Sequence, residues 1–165
     1  MRHGQAEAMA ENDASRELTP QGRQDAGRIS EALHAELKGS QEAEGTFPVF
    51  HSPFARTTQT AEIVCSTLNS VDGEGSFYTQ PTKQLLGDNT ASSVCDWLQS
   101  LEAGEFILVS HQPLVSSLLA WLVEGADRQS LHRFPQFGMS PASLAVLEGD
   151  MVERGLCELT AMYHS

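Results

Sequence analysis

Positive charge is scarce in this 165-residue chain: ten Lys and Arg stand against 22 Asp and Glu, for a formal net charge of −12. No cluster of basic residues appears, so a nucleic-acid partner, held through its phosphates by grouped Lys and Arg, is not expected. Cysteine is also sparse. Cys65, Cys95 and Cys157 are far apart and odd in number, with no C-x-x-C spacing, which reads as structural thiols in a reducing compartment. There is no H-x-H, no H-E-x-x-H and no helically spaced histidine pair, so neither a metal nor another cofactor is expected. No apolar run approaches the roughly 20 residues that cross a bilayer, and no signal peptide is visible. A soluble, cytoplasmic protein without a membrane partner is the expectation. No internal repeat or linker interrupts the chain, so 1–165 reads as a single domain, long enough to bury a core.

The sequence does hold strands alternating with helices. Thr19 and Pro20 suit the cap and first position of a helix, and Ala26, Ile29, Leu33 and Leu37 follow at helical spacing. Phe47–Phe50 and Phe106–Val109 are short apolar runs without alternation, as expected of strands covered on both faces. Pro53 and Pro113 are each expected to open a helix, through Leu68 and Val123 respectively, and Ser93–Leu101 reads as another. Ser143–Leu147 and Leu156–Tyr163 read as late strands. Glu7–Glu17, Lys38–Thr46 and Ser70–Ser76 read as loops. The pattern implies an α/β fold with a mostly parallel sheet between layers of helices, a three-layer sandwich.

Two segments share one form: apolar strand, turn with a His or Arg, then a helix. They are Phe47-Pro48-Val49-Phe50-His51-Ser52-Pro53-Phe54-Ala55-Arg56 and Phe106-Ile107-Leu108-Val109-Ser110-His111-Gln112-Pro113. In open α/β sheets ligands bind beyond the C-terminal ends of strands, where helix N-termini favour an anion. Arg56 and His111 are therefore expected near such a site. On an acidic chain that site must be locally positive, which screening over about 8 Å permits.

Two further motifs accompany them in order, Arg2-His3-Gly4 and Leu18-Thr19-Pro20-Gln21-Gly22, and the Arg56 motif continues as Thr57-Thr58-Gln59-Thr60-Ala61. Together, over about Met1 to Leu147, the chain resembles the histidine-phosphatase superfamily, also called phosphoglycerate-mutase-like. Its short length resembles most the SixA branch of protein phosphohistidine phosphatases. The resemblance implies a metal-independent phosphatase with His3 as the nucleophile that carries a phosphohistidine intermediate. Arg2, Arg56 and His111 would bind the phosphoryl oxygens. Gly4 would let the backbone pass close and fix the His3 tautomer through its carbonyl, and the backbone at Gln112 would add contacts. Arg16 would line the rim or be a solvated loop residue, and His51 would stand beside the site.

This chemistry asks for these residue types. A phosphoryl group carries about −1.5 to −2 charges, and in-line transfer is catalysed mainly by positioning and electrostatics. Arginine offers a planar, permanently charged fork. A neutral imidazole is a competent nucleophile near pH 7. His3 is thus expected neutral and His111 charged.

The resemblance implies a monomer acting on a phosphorylated protein, a histidine phosphotransfer domain. The alternatives are a small phosphorylated metabolite hydrolysed as a phosphomonoester, and a non-catalytic phospho-binding module. Two departures from the family pattern stand out. No strand precedes Arg2, so the first strand is missing from the numbered chain. The native chain is then expected to start upstream, and His3 to be tethered on one side only. Second, no Glu stands between Pro81 and Asn89, where a proton donor is usual; Asp88 is the sole local carboxylate. A general acid contributes about 10²–10⁴-fold. Its absence suits an imidazole leaving group better than an alcohol.

Overall fold

A computed structural model of the chain describes residues 1–39, 45–70, 75–101 and 104–165. Three parallel strands form the central sheet in the order β2-β1-β3: β1 (Gly45–His51), β2 (Gly75–Pro81) and β3 (Ile107–Val109). Four helices flank it: α1 (Pro20–Gly39), α2 (Ala55–Asn69), α3 (Ala91–Gln99) and α4 (Leu114–Glu124). An antiparallel pair, β4 (Leu144–Glu148) and β5 (Glu158–Tyr163), follows.

Residue alternation along β1 sorts the helices into layers. Val49 packs with Ala26, Ile29 and Leu33 of α1 and with Val64 and Leu68 of α2. Its neighbour Phe50 packs on the opposite face with Val94 and Leu98 of α3 and Leu114 and Leu118 of α4. Successive strand side chains point to opposite faces, so one strand anchors both helical layers.

Helix starts follow their caps. The Thr19 hydroxyl accepts from the Gly22 N–H at 3.0 Å and starts α1 at Pro20. Thr90 accepts from the Ser93 N–H at 3.1 Å, so α3 opens at Ala91, two residues ahead of the Ser93 expected from the sequence. α2 begins at Ala55 rather than Pro53, because Ser52 and Pro53 belong to the turn that leaves β1. Strand β2 was not legible as a strand. It lies at the sheet edge, and Tyr78 is 43% exposed, so it carries no apolar run. The expected loops at 38–46 and 70–76 lie partly outside the described residues; α1 runs on to Gly39, and the strands begin at Gly45 and Gly75.

The first three residues take a strand's place beside β3. The Met1 amine donates to Leu108 O at 2.8 Å, Ser110 N to Met1 O at 3.1 Å, and His3 N to Ser110 O at 3.0 Å. On the other side Arg2 N donates to Ser143 O at 2.9 Å and Ala142 N to His3 O at 3.0 Å. This corrects the expectation of a one-sided tether: the segment is clamped on both edges. Met1 lines a cavity of about 420 Å³ together with Leu108, Leu118, Leu144 and Val146.

Candidate active site

The clamp delivers Arg2 and His3 to the C-terminal end of β3, and Ser110 leads directly into His111. Arg56 arrives from the first turn of α2, just past the C-terminal end of β1. The four side chains thus come from three chain segments that converge at one end of the sheet. The imidazoles of His3 and His111 lie edge to face with centroids 5.1 Å apart.

Protonation of His3 is set locally. Its Nδ1 lies 2.7 Å from the Gly4 carbonyl oxygen. A carbonyl can only accept, so Nδ1 carries the hydrogen and Nε2 the lone pair. Burial pushes the His3 pKa down to about 4; the Gly4 bond opposes this, and Arg56, Arg2 and Arg16 add to it. His111, 5% exposed, is pushed down to about 3 by burial, then by His3 and Arg56. Both rings are therefore neutral at pH 7, where a charged His111 was expected. Burial, the His3 ring and the guanidiniums of Arg56 and Arg2 all disfavour a charged His111.

The arginines are held from behind. Arg2 Nη1 donates to Met139 O at 2.8 Å, while its Nε is buried without a partner. Arg56 donates from Nη1 to Asp13 O at 2.6 Å and from Nη2 to Asp13 Oδ2 at 3.0 Å, and its guanidinium stacks over Phe54. Asp13 also bonds Arg16 Nη1 at 3.0 Å through Oδ1. Those two bonds hold its carboxyl below the usual carboxylate range. On a chain of net charge −12, three arginines are gathered around one imidazole, the local positive potential that a phosphoryl group needs.

Residues 1–74, which supply Arg2, His3 and Arg56, match a sequence family described as histidine phosphatase superfamily (branch 1). Over that stretch, just under half of the chain, the sequence is similar to this superfamily. No curated protein matches the sequence significantly. Among solved structures the fold is similar to that of the protein histidine phosphatase SixA complexed with tungstate. The TM-score is 0.72 at 23% identity, over 99% of this chain and 94% of that one. It is similar too to the protein described as phosphohistidine phosphatase SixA from Agrobacterium tumefaciens, with TM-score 0.73, 18% identity and coverage of 100% and 95%. A mycobacterial glucosyl-3-phosphoglycerate phosphatase matches with TM-score 0.65, 18% identity and coverage of 99% and 96%.

The sequence motifs acquire physical reasons in this fold. Gly4 and Gly22 cross at close range: a Cβ on Gly4 would stand 2.6 Å from Gly22 O, and one on Gly22 would stand 2.1 Å from Gln5 O. Thr60 accepts from the Gly4 N–H at 3.1 Å, and Gln59 Oε1 accepts from the Leu18 N–H at 2.8 Å. These contacts press the His3 segment onto α2. Gln112 was expected to act through its backbone, and its side chain has a separate place. Its side chain is committed to Ser116 Oγ at 2.6 Å and Met139 O at 3.1 Å, so it braces the loop that holds Arg2. Arg16 is at the rim, tied to Glu7 O at 2.6 Å and to Asp13. Asp88 is exposed in the turn after Gly87, where a Cβ would stand 3.2 Å from the His111 Cβ. His51 is buried, with Nδ1 2.8 Å from Ser52 O.

Sequence reasoning missed Asp13, Ser52 and Thr57. Asp13 sat in a polar stretch with no periodicity. Ser52 and Thr57 were visible only as motif letters, yet Ser52 Oγ lies 2.5 Å from His111 Nε2 and 2.8 Å from Thr57 Oγ1. Among the described residues no group of three or more His, Cys, Asp or Glu could hold a metal ion, and no helix is long and apolar enough to cross a membrane.

Proposed function

We propose that this protein is a phosphatase that transfers a phosphoryl group to His3 and then to water, and that its substrate is phosphohistidine on a histidine phosphotransfer domain. The observation that carries the reading is the state of His3: Nδ1–H is bonded to Gly4 O, and Nε2 is left as a free nucleophile beside Arg2, Arg56 and His111. In the first step Nε2 bonds to phosphorus as the phosphorus–nitrogen bond to the substrate imidazole breaks. In the second, water attacks phosphorus, the bond to Nε2 breaks, and phosphate leaves. Arg2 and Arg56 stay charged throughout and offset the charge spread over the equatorial oxygens.

The leaving group supports the substrate class. Asp13, the carboxylate that acts on the His111 charge, is already engaged by Arg56 and Arg16, and Asp88 is exposed. An alkoxide leaving group would go without a buried proton donor. An imidazole leaves far more readily. Steady-state turnover of a phosphorylated histidine phosphotransfer domain should exceed that of alkyl phosphate monoesters by about 10²-fold or more. Equal or faster turnover of a small phosphomonoester would favour the metabolite substrate instead, and tight binding without turnover would favour a binding module.

A further inference from the structure

The hydroxyl pair behind His111 has a direction that hydrogen counting reveals. Thr57 Oγ1 lies 2.8 Å from Ser52 O and 2.8 Å from Phe54 O. Both carbonyls have further donors, His51 Nδ1 on Ser52 O and the Thr57 and Thr58 N–H on Phe54 O, but at 2.8 Å two carbonyl oxygens repel the hydroxyl oxygen unless its single hydrogen points at them. Ser52 Oγ lies 2.8 Å from Thr57 Oγ1, and the hydrogen in that contact must come from Ser52. Ser52 Oγ is then left as acceptor toward His111 Nε2 at 2.5 Å, which must carry N–H. Ser52 and Thr57 are fully buried and His111 nearly so. No exposed rotamer relaxes the count. The other ring nitrogen, Nδ1, is buried and without a partner.

We infer that Ser52 and Thr57 are positioning residues that hold neutral His111 with its proton on Nε2, making Nδ1 the acceptor for a proton of the water that hydrolyses phospho-His3. The inference rests on the phosphatase reading above and deepens it. With ring centroids 5.1 Å apart, a phosphoryl group on His3 lies against the His111 ring. As the water oxygen bonds to phosphorus, the phosphorus–Nε2 bond of His3 breaks and its electron pair returns to the imidazole. One water proton passes to His111 Nδ1. The resulting imidazolium then bonds the departing phosphate and releases its proton to solvent with the product. The groups that act on this titration are His3 and Arg2 from the N-terminal segment, Arg56 from α2 and Asp13 from the turn before α1. Of these only Asp13 favours the charged ring.

The test reads tautomer and rate separately. ¹⁵N NMR of the imidazoles in the wild-type chain at pH 7 should show His111 protonated at Nε2 and bare at Nδ1; protonation at Nδ1 overturns the proposal whether or not the protein is a phosphatase. In single-turnover experiments, Ser52→Ala should slow hydrolysis of phospho-His3 by about 10–100-fold, with the formation of phospho-His3 and KM little changed. The rise of that hydrolysis rate with pH should also move. Thr57→Val should act in the same direction, and Thr57→Ser should recover most of what Thr57→Val loses. Wild-type hydrolysis rates and pH profiles in folded Ser52→Ala and Thr57→Val overturn it too. Failure of the wild type to label His3 at all would instead sink the phosphatase reading.

Discussion

His3 and His111 meet edge to face, their planes inclined at 61° and their centroids 5.1 Å apart. Both rings are buried beside arginines, and His3 further disfavours the charged form of His111. His3 is accordingly drawn down to about 4 and His111 to about 3, burial being the largest cause in each case.

Stability should therefore depend on pH in a defined window. Unfolded histidines titrate near 6.5. Between that value and 3–4 the unfolded chain binds protons that the folded site refuses, so stability is full above about pH 6.5 and falls as pH drops through the window. Each pKa unit is worth about 1.4 kcal/mol per group. Thermal melts should show Tm falling from pH 7 to pH 4.5, and falling less in the His3→Ala, His111→Ala double variant. Parallel curves for the two proteins would contradict the site electrostatics.

Asp13 ties Arg56 and Arg16 into one cationic face through three bonds. Replacing its carboxylate has two opposing effects: the site becomes more positive, and the Arg56 fork loses its anchor. Because a misplacement of about 1 Å can cost roughly 100-fold, orientation should win. Asp13→Ala should lower kcat by about tenfold or more. An increase in kcat/KM would show instead that the carboxylate competes with substrate.

The glycine pair on α1 offers a matched comparison. A Cβ at Gly22 would sit 2.1 Å from Gln5 O and 2.8 Å from Gln5 N, both backbone atoms, whereas a Cβ at Gly27 meets nothing within 4 Å. Gly22→Ala should destabilise by about 1–3 kcal/mol or more and displace the His3 segment. Gly27→Ala should stabilise by about 0.5–1 kcal/mol, since Gly is a poor helix former. Urea melts of the two variants check both signs.

What could be read from the sequence follows where the physics is local. The Thr19-Pro20 cap, the α1 stripe and the two apolar runs announced themselves because caps and buried strands leave compositional traces. Arg2, His3, Arg56 and His111 emerged from ordered motifs at strand ends, and the fold brings their segments together. Edge strand β2 stayed hidden because exposure removes the hydrophobic pattern. Asp13 and the Ser52–Thr57 pair stayed hidden because their roles come from contacts between segments: Asp13 reaches Arg56 across 43 positions and Ser52 reaches His111 across 59. The charge of His111 was misjudged for the same reason, since desolvation depends on packing that no spacing reveals.

The most direct test of the account is chemical trapping on His3. The chain is incubated with a ³²P-labelled phosphohistidine phosphotransfer domain, quenched in alkali and mapped by peptide. The account predicts an acid-labile, alkali-stable label on His3 Nε2 that is absent from His3→Ala. A label on any other residue, or turnover that survives His3→Ala undiminished, would contradict it.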